Sequence, residues 1–149
     1  MLRIVRIATY ATLWILASVY AILRGGEPER VGAVCLLWLS TGFLIVRQFT
    51  TFNDSGIDVG SMIVDSVGLV ALLTLALKAN RTWPIWACSA QVIAITAHIV
   101  RYMAVHEVYL AYAIMFRAPG YLQCIVLLVG AYSHHQRVLK GVNYSSWRT

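Results

Sequence analysis

Long apolar stretches separated by short polar segments follow one another along almost the whole chain. Five of them are close to the roughly 20 residues that a helix needs to cross the hydrocarbon core of a bilayer. This pattern predicts an all-α fold, a polytopic transmembrane helix bundle with five spans. The predicted spans cover about residues 4–23, 31–49, 57–77, 84–105 and 108–132.

Turn-forming residues stand between the predicted spans. Gly25 and Gly26, followed by Pro28, end the first span. Asn53-Asp54-Ser55-Gly56 supplies a turn and a helix N-cap before the third span. Pro84 suits the first turn of the fourth helix. The third and fourth helices are therefore expected to form a hairpin.

The fifth span contains an interruption, Arg117-Ala118-Pro119-Gly120. Either one kinked helix crosses the bilayer, or residues 106–118 lie along the interface and a shorter segment follows, which leaves four spans. We favour the kinked span because residues 108–132 are long enough to cross. The chain is then a single bundle domain, residues 1–133, followed by a basic C-terminal tail, residues 134–149.

The composition favours lipid over water as the surrounding solvent. Hydrophobic residues make up 60% of the chain and charged residues 12%, whereas soluble domains have about 45–50% and about 25%. So few charges cannot cover a soluble domain, and the apolar side chains are expected to face the lipid bilayer. The net charge of +6 is scattered among apolar stretches. It predicts contact with anionic headgroups rather than with nucleic acid.

The distribution of Lys and Arg predicts the orientation, because cytoplasmic loops carry an excess of these residues. With five spans, one side of the membrane holds Arg3, Arg6 and Arg47. The other side holds a larger set, Arg24, Arg30, Lys78, Arg81, Arg137, Lys140 and Arg148. This excess predicts an outer N-terminus and a cytoplasmic C-terminus, whereas four spans would put both termini in the cytoplasm.

Polar side chains in the third and fourth predicted helices follow helical spacing. Asp58 and Asp65 share one face of the third helix with small residues. Gln91, His98 and Arg101 share one face of the fourth helix in the same way. Spacings of three and four residues return to the same side of a helix, so each helix carries one polar stripe on an otherwise lipid-compatible surface.

The two polar stripes are predicted to meet at one depth. Counted from Arg81 in the turn, Asp65 lies 16 residues back and His98 lies 17 residues ahead. A rise of about 1.5 Å per residue brings them level within about 2 Å. Arg117 lies at a similar depth in the fifth span. We therefore predict a buried polar cluster in the outer half of the bundle, consisting of Asp58, Asp65, Gln91, His98, Arg101 and Arg117.

Such a cluster has a structural and a functional interpretation. Pairing relieves the cost of an isolated charge in hydrocarbon, which is several kcal/mol, so the cluster can simply hold helices together. Alternatively it relays protons or ions, or binds a polar ligand. The structural interpretation is favoured. The sequence contains no metal-ligand spacing and no catalytic motif such as HExxH or GxSxG, so no metal, cofactor or enzymatic activity is predicted.

One segment carries a resemblance to other proteins. Ala79-Asn80-Arg81-Thr82-Trp83-Pro84-Ile85-Trp86-Ala87 is followed by Gln91 and by Thr96-Ala97-His98. This resembles small uncharacterised multi-pass inner-membrane proteins of alphaproteobacteria, which place a Trp-Pro-x-Trp turn before a helix with Gln and His and end in a basic tail. The resemblance covers roughly the second half of the chain, and Arg117-Ala118-Pro119-Gly120 departs from it. It implies a bacterial inner membrane but no particular activity.

The sequence thus predicts a non-catalytic integral membrane subunit or scaffold. Short loops and lipid-facing helices suit association with other membrane proteins, or with further copies of the chain, through helix packing. The alternative is a small oligomeric transporter or channel in which the Asp/His/Arg cluster lines the path. A membrane enzyme that uses His98 and Asp65 ranks below both.

Overall fold

In the computed structural model, helices make up nearly all of the part of the chain that is described. That part comprises residues 2–49, 59–103, 109–142 and 145–148. Five helices follow one another in it: α1 Leu2–Arg24, α2 Glu27–Phe49, α3 Val59–Lys78, α4 Trp83–Met103 and α5 Tyr109–Leu139. The prediction of an all-α fold is therefore confirmed.

Three of the helices are long and apolar enough to cross a membrane. The qualifying stretches within the described ranges are Glu27–Val46, Val59–Lys78 and Trp83–Val100. The apolar stretch of α1 is shorter and covers Ala8–Arg24. Length and composition thus make α2, α3 and α4 the strongest candidates for membrane spans.

The five helices form a closed ring. Each helix packs against the next one in the chain, and α5 returns to pack along α1. A smaller contact joins α2 and α5. The α1–α2 turn and the α3–α4 turn lie at the same end of the bundle, where His134 of α5 contacts Arg81. We call this end the turn end.

Helix α2 begins about four residues before the predicted span, because its first turn caps itself. The side chain of Glu29 accepts a hydrogen bond from the backbone N of Gly26 (3.0 Å). Arg30 N donates to the carbonyl of Gly26 (3.0 Å) and so makes the first helical hydrogen bond. Pro28 has no N–H to lose in this turn and a φ that already suits a helix.

Helix α5 runs continuously through Pro119 and ends at Leu139. It therefore has no break at the predicted interruption, and it extends past the predicted end of the fifth span at residue 132. Gly141, with φ 68°, terminates it. Val142 N donates to the carbonyl of Arg137 (3.1 Å), which is the pattern of a glycine-terminated helix. The first residues of the predicted tail thus belong to α5.

The C-terminal segment folds back onto the α3–α4 turn, and we call residues 145–148 the strap. Asn80 N donates to the carbonyl of Ser146 (3.1 Å). Arg148 N donates to the carbonyl of Lys78 (2.8 Å). Two backbone hydrogen bonds therefore fix part of the predicted tail against the bundle, which the charge pattern of the sequence did not indicate.

Small residues dominate the core and bring the helices close together. Buried alanines line α1, α2, the α3–α4 turn, α4 and α5, among them Ala17, Ala21, Ala33, Ala79, Ala87 and Ala131. At their centre the indole of Trp83 lies against Gly32 of α2 and Gly130 of α5, where an added Cβ would overlap the ring. Small residues permit such close approach in membrane helix bundles.

Candidate functional site

The first polar centre joins α3 and α4 through Asp65. The carboxylate Oδ1 of Asp65 accepts a hydrogen bond from Gln91 Nε2 (2.9 Å), which also donates to the Asp65 carbonyl (3.1 Å). The other oxygen, Oδ2, lies 2.8 Å from His98 Nε2. When Asp65 is ionised its oxygens only accept, and His98 then donates from Nε2. The pair is ionic when the ring is protonated.

A second amide extends this centre to α5. Gln123 Nε2 donates to Gln91 Oε1 (2.6 Å) and lies 3.4 Å from the carbonyl of Ala87. Gln91 and Gln123 are both buried. We call Asp65, Gln91, His98 and Gln123 the Asp65 cluster. It forms a continuous hydrogen-bonded chain across three helices, and Gln123 is a member that the depth argument from the sequence did not include.

The remaining predicted site residues have different outcomes. Asp58 lies outside the described residues, and so does the side chain of Arg101, whose backbone is part of α4. Arg117 is exposed, so the structure corrects its assignment to a buried cluster. The reason is helical phase. Pro119 is buried two residues later, and two residues turn a helix by about 200°, so Arg117 lies on the opposite face of α5.

The second polar centre lies at the turn end and surrounds Glu29, whose exposed fraction is 0%. Its Oε1 accepts hydrogen bonds from Arg81 Nε (3.3 Å) and from Trp83 Nε1 (3.1 Å). Arg81, which is 7% exposed, also has its Nη2 3.2 Å from His134 Nδ1. A guanidinium only donates, so Nδ1 of His134 is the acceptor. We call Glu29, Arg81, Trp83 and His134 the Glu29 cluster.

The Glu29 cluster joins four parts of the chain. Its members come from α2, the α3–α4 turn, the start of α4 and the end of α5. The prediction from the sequence did not include Glu29, and it used Arg81 only as the turn between the third and fourth helices. The available signal was Glu29 at the third helical position after a glycine cap. An acid at that position reaches back over the turn, where Trp83 and Arg81 meet it.

The two clusters can do different chemistry. The Glu29 carboxylate has a fixed cation, an indole and a backbone N–H as partners, so its charge is compensated in place. The Asp65 carboxylate has the Gln91 amide and the His98 imidazole as its partners, and its side chain is 21% exposed. The amides of Gln91 and Gln123 donate and accept hydrogen bonds, but they neither take up nor release a proton. Within the described ranges, no group of three or more His, Cys, Asp or Glu residues is arranged to hold a metal ion.

The chain significantly matches no protein-family model, no curated protein and no solved structure. The class of protein is therefore inferred from the architecture of the chain itself. The described part is an all-helical bundle in which three helices are able to cross a membrane, and acidic side chains are paired inside it.

Proposed function

We propose that this protein is a non-catalytic integral membrane subunit or scaffold that associates with other membrane proteins, or with itself, through helix packing. The observation that carries the proposal is the inward pairing of its polar groups. Both carboxylate oxygens of Asp65 have partners on α4, and both oxygens of Glu29 have partners inside the turn end. Every helix exposes large apolar side chains, among them Leu16, Val34, Val70, Ile99 and Val129.

This arrangement supports association rather than turnover. Glu29 and Asp65 are paired with side chains of other elements and so hold the helices together. The α1–α2 turn has two residues and the α3–α4 turn has four, so these turns add little surface of their own. What the chain offers to a partner is the sides of its helices, where van der Waals packing of small and apolar residues drives association in lipid.

We further propose that all five helices cross the bilayer. Helix α1 has 23 residues and α5 has 31, so at 1.5 Å per residue they are about 35 and about 46 Å long. Both pack along helices that meet the length and apolarity of a span. Because α1 and α5 close the ring of helices against these neighbours, five crossings are supported rather than four.

The membrane in this proposal is a bacterial inner membrane, with the turn end and the C-terminus in the cytoplasm. The excess of Lys and Arg at the turn end supports this orientation. Reporter fusions after Thr149 test it. A green fluorescent protein should fluoresce there and alkaline phosphatase should stay inactive. The opposite pattern would reject the orientation.

Native mass spectrometry of the chain extracted from its membrane in mild detergent tests the function. A stoichiometric complex with other membrane proteins, or a defined homo-oligomer without ion flux in liposomes, is the expected result. A monomer that captures no partner under extraction conditions that preserve known complexes would contradict it.

A second function, a small oligomeric transporter or channel, is favoured by one observation. The Asp65 side chain keeps 21% exposure beside His98, so the acid is not sealed off. The matched experiment compares proton and cation flux into liposomes for the parent chain and for Asp65→Asn. Flux in the parent that disappears in the variant would replace the subunit proposal with transport. Glu27→Gln, a change at an exposed acid of the turn end, is the control.

A further inference from the structure

We infer that the turn end is a binding surface for anionic phospholipid headgroups and that the strap forms part of this surface. The inference rests on the insertion in a membrane proposed above. It does not depend on whether the protein is a subunit or a transporter. Three features carry it: exposed cations gathered from separate elements, acids that are withdrawn from the surface, and exposed apolar and aromatic side chains beside the cations.

Five exposed cations gather at the turn end from five parts of the chain. They are Arg24 at the end of α1, Arg30 in the first turns of α2, Lys78 at the end of α3, Lys140 directly after α5, and Arg148 in the strap. Among the described residues, no ion pair engages any of these five side chains. Three helix C-termini point to the same end, and cations are favourable there because they oppose the helix dipoles.

The acids of the turn end compensate few of these charges. Glu29 is buried and engaged with Arg81. Glu27 is exposed and accepts a hydrogen bond from the indole of Trp147. In the described part of the turn end, one exposed acid therefore stands against five exposed cations, and this surface is strongly positive.

The strap completes the positive surface. Its backbone hydrogen bond from Arg148 N to the carbonyl of Lys78 (2.8 Å) holds these two residues side by side. Trp147 anchors the segment, because its ring packs against the buried core while its indole bonds Glu27. The anchor and the backbone hydrogen bonds together keep Arg148 beside Lys78.

The neighbouring side chains favour a lipid headgroup over a soluble anion. Trp86 is 62% exposed and Tyr132 is 56% exposed, and both lie within about two helical turns of the turn end. Aromatic rings of this kind settle at the level of the headgroups. Exposed Leu23, Leu77 and Leu139 continue the apolar surface to the same level. The cations are distributed around the bundle, as suits a layer of phosphates and not a single phosphate ion.

Lipid retention tests the inference. The full chain is placed in nanodiscs containing equal amounts of phosphatidylglycerol and phosphatidylcholine, released into mild detergent, and the retained lipids are counted by native mass spectrometry. We expect at least about a threefold preference for phosphatidylglycerol that falls with added salt. The combined variant Lys78→Gln, Lys140→Gln, Arg148→Gln should bring the ratio close to one. Equal retention by the parent chain would overturn the inference.

Three controls distinguish a headgroup surface at the turn end from a general effect of positive charge. Arg117→Gln removes an exposed cation far from the turn end and should leave the ratio unchanged; an equal loss would overturn the inference. Arg148→Gln alone should lower the ratio because it removes the strap cation, and Trp147→Ala should lower it in the same direction because it removes the side-chain anchor of the strap. If the combined variant does not fold, the single variants Arg148→Gln and Trp147→Ala test the headgroup surface in its place. A short DNA oligonucleotide that displaces the lipid at physiological salt would assign the surface to nucleic acid and reject a headgroup site.

The readout differs from those for the proposed function. Lipid retention is measured on the isolated chain, whereas partner capture and ion flux need the native membrane or sealed liposomes. A chain that prefers phosphatidylglycerol yet captures no partner would refute the subunit proposal alone. A chain that forms its complex without a lipid preference would refute the headgroup surface alone.

Discussion

The two polar clusters of this bundle solve one physical problem in different ways. Each places a carboxylate between helices. Glu29 is fully buried and is held by Arg81, Trp83 and a backbone N–H of its own turn. Asp65 is 21% exposed and is held by Gln91 and His98. The first charge is balanced permanently by a guanidinium, and the second is balanced only when an imidazole is protonated.

This difference indicates which of the two clusters tolerates substitution better. Removing the cation that pairs with a fully buried acid leaves an uncompensated charge. We therefore expect the Glu29 cluster to contribute more to the free energy of unfolding than the Asp65 cluster. Two of the four members of the Asp65 cluster are neutral amides, and a change there leaves polar groups that can find other partners. Interhelical hydrogen bonds of this kind contribute on average about 0.6 kcal/mol in membranes. The comparison therefore predicts unequal costs of mutation.

Glu29→Ala should have the largest effect. It leaves Arg81 buried without its carboxylate and removes the acceptor of the Trp83 indole. Breaking a buried ion pair from one side costs about 3–5 kcal/mol. The free energy of unfolding in mixed detergent micelles, followed by circular dichroism, measures the loss.

The control for that variant is Glu27→Ala, two residues earlier in the same helix. Glu27 is exposed and is bonded to Trp147 in the strap, so its loss should cost about 1 kcal/mol or less. A double variant, Glu29→Gln with Arg81→Met, should recover part of the stability by removing both charges. If Glu29→Ala and Glu27→Ala lowered the free energy of unfolding equally, the special contribution of the Glu29 cluster to stability would be refuted.

Gly130→Ala should have the next largest effect, since it tests the packing that supports the Glu29 cluster. The added Cβ would overlap the Trp83 ring. Overpacking of this kind costs about 1–3 kcal/mol. Thermal unfolding in detergent should show the destabilisation, and Trp83→Phe should relieve it in the double variant. Gly120→Ala is the milder control, because its Cβ would meet Tyr10 at 3.0 Å. A stable Gly130→Ala protein would show that Trp83 is not wedged between the helices.

The sequence predicted helix number and type well because hydrophobic length is a strong signal. It predicted helix ends less well. The start of α2 depends on Glu29 reaching back to Gly26, and the end of α5 depends on the positive φ of Gly141. Both are local hydrogen-bonding choices that no hydropathy pattern contains. The strap depends on contacts with residues more than sixty positions away, which periodicity cannot report.

The candidate site was predictable as far as two neighbouring helices define it. Depth counted from a short turn, together with helical face, brings Asp65 to His98, and the structure places them 2.8 Å apart. Gln123 required knowledge of which face α5 turns toward α4. The Glu29 cluster required four parts of the chain to converge, so it could not be inferred from spacing within one hairpin.

Asp65→Asn and His98→Ala, made separately and together, test the coupling within the Asp65 cluster. Each single change should cost about 1–2 kcal/mol, near the upper limit for hydrogen bonds between membrane helices. The double-mutant cycle should give a coupling of at least about 0.5 kcal/mol, because the two side chains are in contact. Asp65→Asn combined with Glu27→Ala, at the other end of the bundle, should be additive. Additivity of the Asp65 and His98 changes as well would mean that the pair does not interact.

Arg117→Gln should have the smallest effect on stability. It tests whether the face of α5 on which a polar residue lies matters more than its position along the helix. Arg117 and His98 each lie 17 residues from the Arg81–His134 contact (134 − 117 and 98 − 81), so the two are level. Arg117 nevertheless lies on the exposed face of α5. A substitution there should change the free energy of unfolding by no more than about 0.5 kcal/mol. Gln123→Leu, on the buried face of the same helix, removes the bond to Gln91 and should cost more, about 0.6–1.7 kcal/mol. If the two variants cost the same, position along the helix and not its orientation would determine which polar residues stabilise this bundle, and the separation of the Asp65 cluster from Arg117 would fail.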